Sequence, residues 1–182
     1  MATALFVTTK DLKRYSVLSG NIDPDKFVYM IEISMDTEVQ IYLGTKLYEK
    51  LQALIISGIN DPANAAYKTL LETYVKPMTI YWALVYYMPF AAYTVANGGV
   101  YKHISESSES VSKDEVDYLT NKYRDIAQFY TNNFTNFMVY NQDTYPEYNA
   151  NTEDDFYPDQ SGADFGGWAL WYIKLKKNIL LN

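Results

Sequence analysis

The chain is expected to fold as an all-α protein: a bundle of about five helices with a short N-terminal strand or arm and an extended C-terminal tail. Three observations predict this. Apolar residues recur at three- and four-residue spacing through most of residues 24–140. Helix punctuation separates those runs, with Asp-Pro starts at Asp23-Pro24 and Asp61-Pro62 and glycine stops at Gly44 and Gly58. After Asn141 the periodicity ends, which divides a helical core domain, 1–141, from an acidic and aromatic C-terminal arm, 142–182.

Element by element, Thr3–Val7 reads as a short strand or an arm. Thr8 or Thr9 then caps a brief helix, KDLKRYS. Asp23 is the expected N-cap of the first long helix, with Pro24 at its first position and Ile22 stapled to Phe27. Phe27, Ile31, Met35, Val39 and Leu43 form its stripe at four-residue intervals, widened by Met30, Ile33 and Ile41. Gly44 stops it. Thr45 recaps, and KLYEKLQALIIS follows with Leu47, Leu51, Leu54 and Ile55 on one face. After Asp61-Pro62, the face is Tyr67, Leu70, Leu71, Tyr74 and Val75, and Pro77 is expected to kink or break the helix. The run from Met78 to Ala96 carries no charge, with another kink expected at Pro89 and an end at Asn97–Gly99. VYKHISESSESVSKD is polar and reads as a loop or loose hairpin. Ser112 or Asp114 caps the last long helix, about 113–140, with Val116, Leu119, Tyr123, Ile126, Tyr130, Phe134, Phe137 and Met138 as its apolar face.

Residues 143–164 hold seven acidic residues, two prolines and no basic residue, without a sustained period. Such a segment is not expected to bury enough surface to order itself. It leads into SGADFGGWALWYIKLKKNILLN, residues 161–182, where Phe165, Trp168, Leu170, Trp171, Tyr172 and Ile173 form a candidate partner-binding anchor. Deleting 142–182 is accordingly expected to leave the helical core folded and to abolish assembly.

The totals narrow the function. A chain of 182 residues can bury roughly 70% of its unfolded surface, enough for one domain with a real core. Hydrophobic residues at 48% and charged residues at 20% indicate a globular chain. The net charge of −7 argues against a tight grip on DNA or RNA, since phosphate contacts need Lys and Arg. It is compatible with DNA sliding past an acidic wall. The absence of cysteine removes disulfides, thiolate nucleophiles and Cys-based metal sites. No secretory signal pattern opens the sequence. The Met78–Ala96 run has the length of a membrane span, but Pro89 and four tyrosines favour a helix buried within or between subunits. Nineteen tyrosines suit either an interface or a core with wet hydroxyls.

Catalytic constellations are not evident. His103 is alone in a polar loop. Glu32 and Asp36 stand one helical turn apart, where two carboxylates can act on protons or hold Mg²⁺, but a solvated stripe is the plainer reading. Asp154, Asp155, Asp159 and Asp164 do not have the spacing of a calcium loop and read as an acidic spacer. SGADFGG lacks the positive potential of a phosphate cradle. Asn133–Thr135 matches a glycosylation acceptor by chance within a helix. The expectation is a protein that is not an enzyme and uses no cofactor and no metal.

One resemblance gives these pieces an order. LFVTTKDLKRYSVLSGNIDPDKFVYMIEISMDTEVQIYLGTKLYEKLQ resembles the N-terminal half of tailed-phage head–tail connector (adaptor) proteins. Their short strand, small TxxDLK-like helix, and long helix ending at LGxxL recur here in that order. KPMTIYWALVYYMPF, the ANGGV turn, the acidic Ser-rich loop and the helix ending YTNNFTNFMVYNQDTYPEY continue the likeness over about residues 5–148. The variant is similar to the ring proteins of phages of Bacteroidetes, including the crAss-like group.

The resemblance implies a virion structural protein without catalytic residues. It would form a homo-oligomeric ring, expected to be a dodecamer, between the portal protein and the next tail or ring component. Genomic DNA would pass through its lumen without specific binding, at the head–tail interface and away from any membrane. The rival readings are a helical protein-binding module or regulator docking a single partner through its C-terminal tail, and a metal-dependent enzyme using Glu32 and Asp36.

Overall fold

The computed structural model describes residues 4–15, 24–91, 93–96, 99–102 and 112–160, which form an all-α bundle with one small hairpin. Helix α1 is Thr9–Arg14, closed at its start by a capping box in which Thr8 and Asp11 hydrogen-bond reciprocally. Helix α2 is continuous through Pro24–Ser34, a π-helical turn at Met35–Val39, and Gln40–Leu43. Helix α3 is Thr45–Ser57. A 3₁₀ turn, Pro62–Asn64, leads into α4, which runs through Ala65–Leu70, a second π-helical turn at Leu71–Val75, and Lys76–Tyr87. The last long helix, α5, is Lys113–Asn141 and starts with a Ser112–Glu115 capping box. The Asp23 cap, the Ile22 staple and His103 lie outside the described residues.

The two π-helical turns have sequence causes. Phe27, Ile31, Met35, Val39 and Leu43 are all buried. At 100° per residue, a stripe advancing four residues at a time would drift about 160° around a regular helix over those positions. One extra residue in the turn at Met35–Val39 returns the later members to the core face. In α4 the expected break at Pro77 is absent. Proline lacks an N–H and its ring collides with the carbonyl four residues back. The wider turn at Leu71–Val75 lies over that position, and the helix continues without a break into the buried segment.

That segment, Lys76–Tyr87, is the central helix of the core, with Met78, Thr79, Ile80, Trp82, Ala83, Leu84, Val85 and Tyr87 buried. It packs against α2 on one side and α5 on the other. Among the described residues no helix is long and apolar enough to cross a membrane. The helix also ends earlier than its uncharged run. Pro89 lies in a 3₁₀ turn, Met88–Phe90, and residues beyond it form strand β1, Tyr93–Ala96, paired antiparallel with β2, Gly99–Lys102. The intervening dipeptide is Asn97-Gly98, a strong hairpin signal.

The N-terminal stretch is an arm, not a strand. Phe6 and Val7 are buried, and Phe6 meets Tyr48 edge to face at 5.1 Å. The larger correction concerns residues 142–160, which are not a free acidic spacer. They form a strap of two 3₁₀ turns, Gln142–Thr144 and Pro146–Asn149, and an extended piece laid over α3 and the end of α2. Tyr145 and Tyr148 are core residues. The Tyr145 hydroxyl donates to the Ala66 carbonyl at 3.2 Å, and Tyr148 meets Phe134 edge to face. The packed body therefore extends past the expected boundary at 141.

The strap is fastened at the α2–α3 junction. Gly44 has φ +73° and ψ 160°, a conformation essentially restricted to glycine. A Cβ there would lie 2.8 Å from Asn151 Nδ2 and 2.9 Å from the Pro158 ring. Thr45 does not cap α3 through its side chain. Its N–H donates to the Phe156 carbonyl at 3.1 Å and its hydroxyl accepts from the Phe156 N–H at 2.9 Å. The Lys46 N–H donates to Asn151 Oδ1, and the Asp159 N–H to the Ile41 carbonyl. The strap thus satisfies backbone groups that two abutting helix ends leave open.

Candidate protein-docking surface

The last helix presents two unlike faces, and the core takes the one that looks less apolar. Its buried side chains are Thr120, Ala127, Thr131, Phe134, Thr135 and Met138. The Trp82 indole donates to the Thr131 hydroxyl at 3.0 Å, and that hydroxyl donates to the Ala127 carbonyl at 2.9 Å. Small and hydroxylated residues let α5 approach α4 closely while satisfying a buried indole. On the opposite side Tyr118, Leu119, Ile126, Phe129 and Tyr140 are 61%, 41%, 38%, 59% and 76% exposed. At 100° per residue these five fall within an arc of about 100° and run some 33 Å along the rod. Leu119 and Ile126, expected in the core, therefore point outward.

Next to this stripe lies a groove between α4 and α5 lined by aromatic rings. Tyr81 stacks on Tyr130 with centroids 5.2 Å apart and planes 8° from parallel, and Tyr74 stacks on Phe137 at 4.2 Å. Phe129 meets Tyr130 edge to face, joining groove to stripe. A shallow hollow of about 580 Å³ lies beside Tyr74, Asn133, Phe137 and Tyr140. A second hollow of about 210 Å³, which shares Tyr130 with the first, lies beside Ile80, Asp11, Glu72 and Lys76. Burial pushes the Tyr81 phenol up, and the adjacent Tyr130 and Tyr123 add to the effect. The Glu72 carboxylate pairs with Lys76 at 2.8 Å. Burial pushes the Asp11 carboxyl up, but the Thr8 side chain and backbone, Lys76 and Arg14 outweigh it and hold the group below its usual range.

A second apolar patch lies at the α2–strap junction, where Ile41, Phe156 and Tyr157 are exposed. The two patches flank the bundle on different sides. Around α5, Gln128 meets Tyr42 of α2, the core follows, then Tyr130 and Phe137 meet α4, and the open stripe comes last.

The other candidates from the sequence separate. Glu32 and Asp36 are both exposed on α2, and Asp36 accepts from the Tyr48 hydroxyl at 2.9 Å. Burial, then Asp36, push the Tyr48 phenol up and keep it a donor. Among the described residues no group of three or more His, Asp or Glu side chains is arranged to hold a metal. Asp155 pairs with Lys46 at 3.4 Å within the strap, and Asp154 is exposed. Of the Asn133–Thr135 acceptor pattern, Thr135 is buried within α5 and Asn133 is half-buried. Phe165, Trp168, Leu170, Trp171, Tyr172 and Ile173 lie outside the described residues, as does Asp164.

Comparison with known proteins places the chain at the level of family. Residues 40–156 match the model of DUF6712, a family of unknown function, over more than half of the chain. The chain belongs to DUF6712. The family match starts in the last part of α2 and extends through the strap to Phe156, so in DUF6712 terms the strap is part of the domain. No curated protein and no solved structure matches the chain.

Proposed function

We propose that this DUF6712 member is a virion structural protein, a head–tail connector whose copies form a ring between portal and tail around the DNA exit channel. The observation that carries the reading is the outward apolar stripe of α5. Five exposed aromatic and aliphatic side chains recur along about 33 Å of one helical face, with Lys122, Asn133 and Asn136 between them, and a mixed face of this kind suits a protein–protein contact. The resemblance of residues 5–148 to connector proteins supplies the kind of assembly. The net charge of −7 suits a lumen through which DNA passes without being gripped. Two unlike apolar patches on different flanks suit the head-to-tail contacts from which closed rings are built.

In this reading the arm residues Phe165, Trp168, Leu170, Trp171, Tyr172 and Ile173 are a partner-binding element. Portal and the next tail component are the neighbours, and the virion head–tail interface is the location. The test is native mass of the full chain over a concentration series, followed by capture on a purified portal ring. A closed ring, or capture in many copies per portal, is expected. One copy per partner would point instead to a module docking a single protein. A monomer that no portal captures would overturn the connector reading.

A further inference from the structure

The groove between α4 and α5 has no occupant within the described residues, and the properties of its walls select one. Tyr74, Tyr81, Tyr130 and Phe137 run along it among asparagines of α5, and its smaller hollow carries two carboxylates, Asp11 and Glu72, against one cation, Lys76. A matching ligand offers flat apolar groups followed by positive charge. The chain contains such a segment. Residues 161–182 hold Trp168, Trp171, Tyr172 and Ile173, then Lys174, Lys176 and Lys177. With Asp164 as its one acidic residue, the segment has a formal side-chain charge of +2, leaving −9 on residues 1–160. We infer that the arm of one copy seats its tryptophans in the α4–α5 groove of the next copy, with its lysines towards the hollow where Asp11 and Glu72 outnumber Lys76. This assignment rests on the ring reading for its choice of a neighbouring copy.

The arm is long enough for either its own groove or a neighbour's, and the ring reading selects the neighbour. The strap ends at Gln160, held by Asp159 on the Ile41 carbonyl and by Gln160 on the Tyr148 hydroxyl, beside the end of α2. An arm of 22 residues spans at most about 75 Å when extended. A body of 160 residues has a radius of gyration of about 15 Å. The arm is therefore long enough to cross to an adjacent copy. In a head-to-tail ring the flank bearing Ile41, Phe156 and Tyr157 meets the flank bearing the stripe and groove, so the arm root faces the groove of the next copy. Tryptophan and tyrosine are the side chains best suited to such anchoring, because they bury large area at low entropic cost.

The test places a benzoylphenylalanine cross-linker at Ala169 of the full chain, between the two tryptophans, in an equal mixture of unlabelled and ¹⁵N-labelled protein. Irradiation and peptide mapping then read both the chain and the site. Mixed-isotope cross-links to α4 and α5 around Tyr74, Tyr130 and Phe137 are expected. Asn133→Trp, which fills the larger hollow from a half-buried position at its edge, is expected to cut that yield at least tenfold while leaving native mass at low concentration unchanged. Cross-links within one isotope only would overturn the exchange between copies. Mixed-isotope links elsewhere would overturn the groove. Either result can occur with a ring present in the native-mass measurement, in which case the connector reading stands. Links in the groove of a closed dimer would sink the ring and keep the assignment.

Discussion

Gly44 is where the strap presses hardest on the bundle. Its φ of +73° excludes ordinary side chains, and Asn151 and Pro158 occupy the space a Cβ would take. Gly44→Ala should cost about 1–3 kcal/mol from the backbone alone. At about 2–4 °C per kcal/mol that is a clear fall in Tm. A Tm equal to that of the parent chain would mean the strap yields freely. Thr131 tests the buried side of α5. Thr131→Val strands the Trp82 indole and should cost about 1–3 kcal/mol, whereas Thr131→Ser keeps the acceptor and should cost less. Equal losses by denaturant melts would remove the hydrogen bond from the explanation.

Asp155 gives the strap a pH response. The Thr152 N–H, with the Thr152 hydroxyl and Lys46, holds its carboxyl below the usual range against an opposing push from burial. A folded value below the unfolded one contributes stability above the ordinary carboxylate range, and that contribution is lost as pH falls through the folded value. Asp155→Asn should therefore lower Tm at pH 7, with the gap to the parent closing below about pH 4. A gap of constant size down to pH 2 would contradict this assignment.

At the scale of elements, α5 shows how an apolar count misleads when a helix has two apolar faces. Val116, Leu119, Tyr123 and Ile126 have valid helical spacing, and so do Thr120, Ala127, Thr131 and Phe134. Spacing cannot choose between them, because the choice depends on the close approach of α4 and on Trp82 finding an acceptor. The double change Ile126→Ser with Phe129→Ser should leave the melting of the isolated chain nearly unchanged, since both side chains are exposed. It should weaken self-association at least tenfold by sedimentation. Undiminished association would remove the stripe from the interface. The π-helical turn of α2 was not read from the sequence, although its stripe is compatible with one. Its buried members at four-residue intervals, Phe27 to Leu43, stay near one face because the turn carries an extra residue.

At the scale of the molecule, the strap makes residues 142–160 part of what folds. A chain ending at Asn141 loses Tyr145 and Tyr148 from the core, each a loss comparable to an aromatic-to-alanine change of about 3–5 kcal/mol. Together these approach the whole stability of an ordinary domain, about 5–15 kcal/mol. That truncation should not melt cooperatively, while a chain ending at Gln160 should keep the parent Tm and lose assembly. Cooperative melting of the shorter chain at the parent temperature would show that the strap only decorates a complete core.

Helix identity, order and most ends were legible from residues alone, because caps, glycine stops and apolar spacing are local properties carried by neighbours in sequence. Gly44 and Ser112 took their expected places for that reason. The strap was not legible. Its buried groups are few and aperiodic, and they become core only because α3 and α4 provide Tyr67, Ala66, Thr45 and Lys46 as partners across some 80 to 111 positions of chain. The outward stripe was hidden for the same reason. Its five side chains share one helical face in any reading of the sequence, but whether that face meets the core or the outside is settled by where α2 and α4 pack, and that is a property of the assembled bundle.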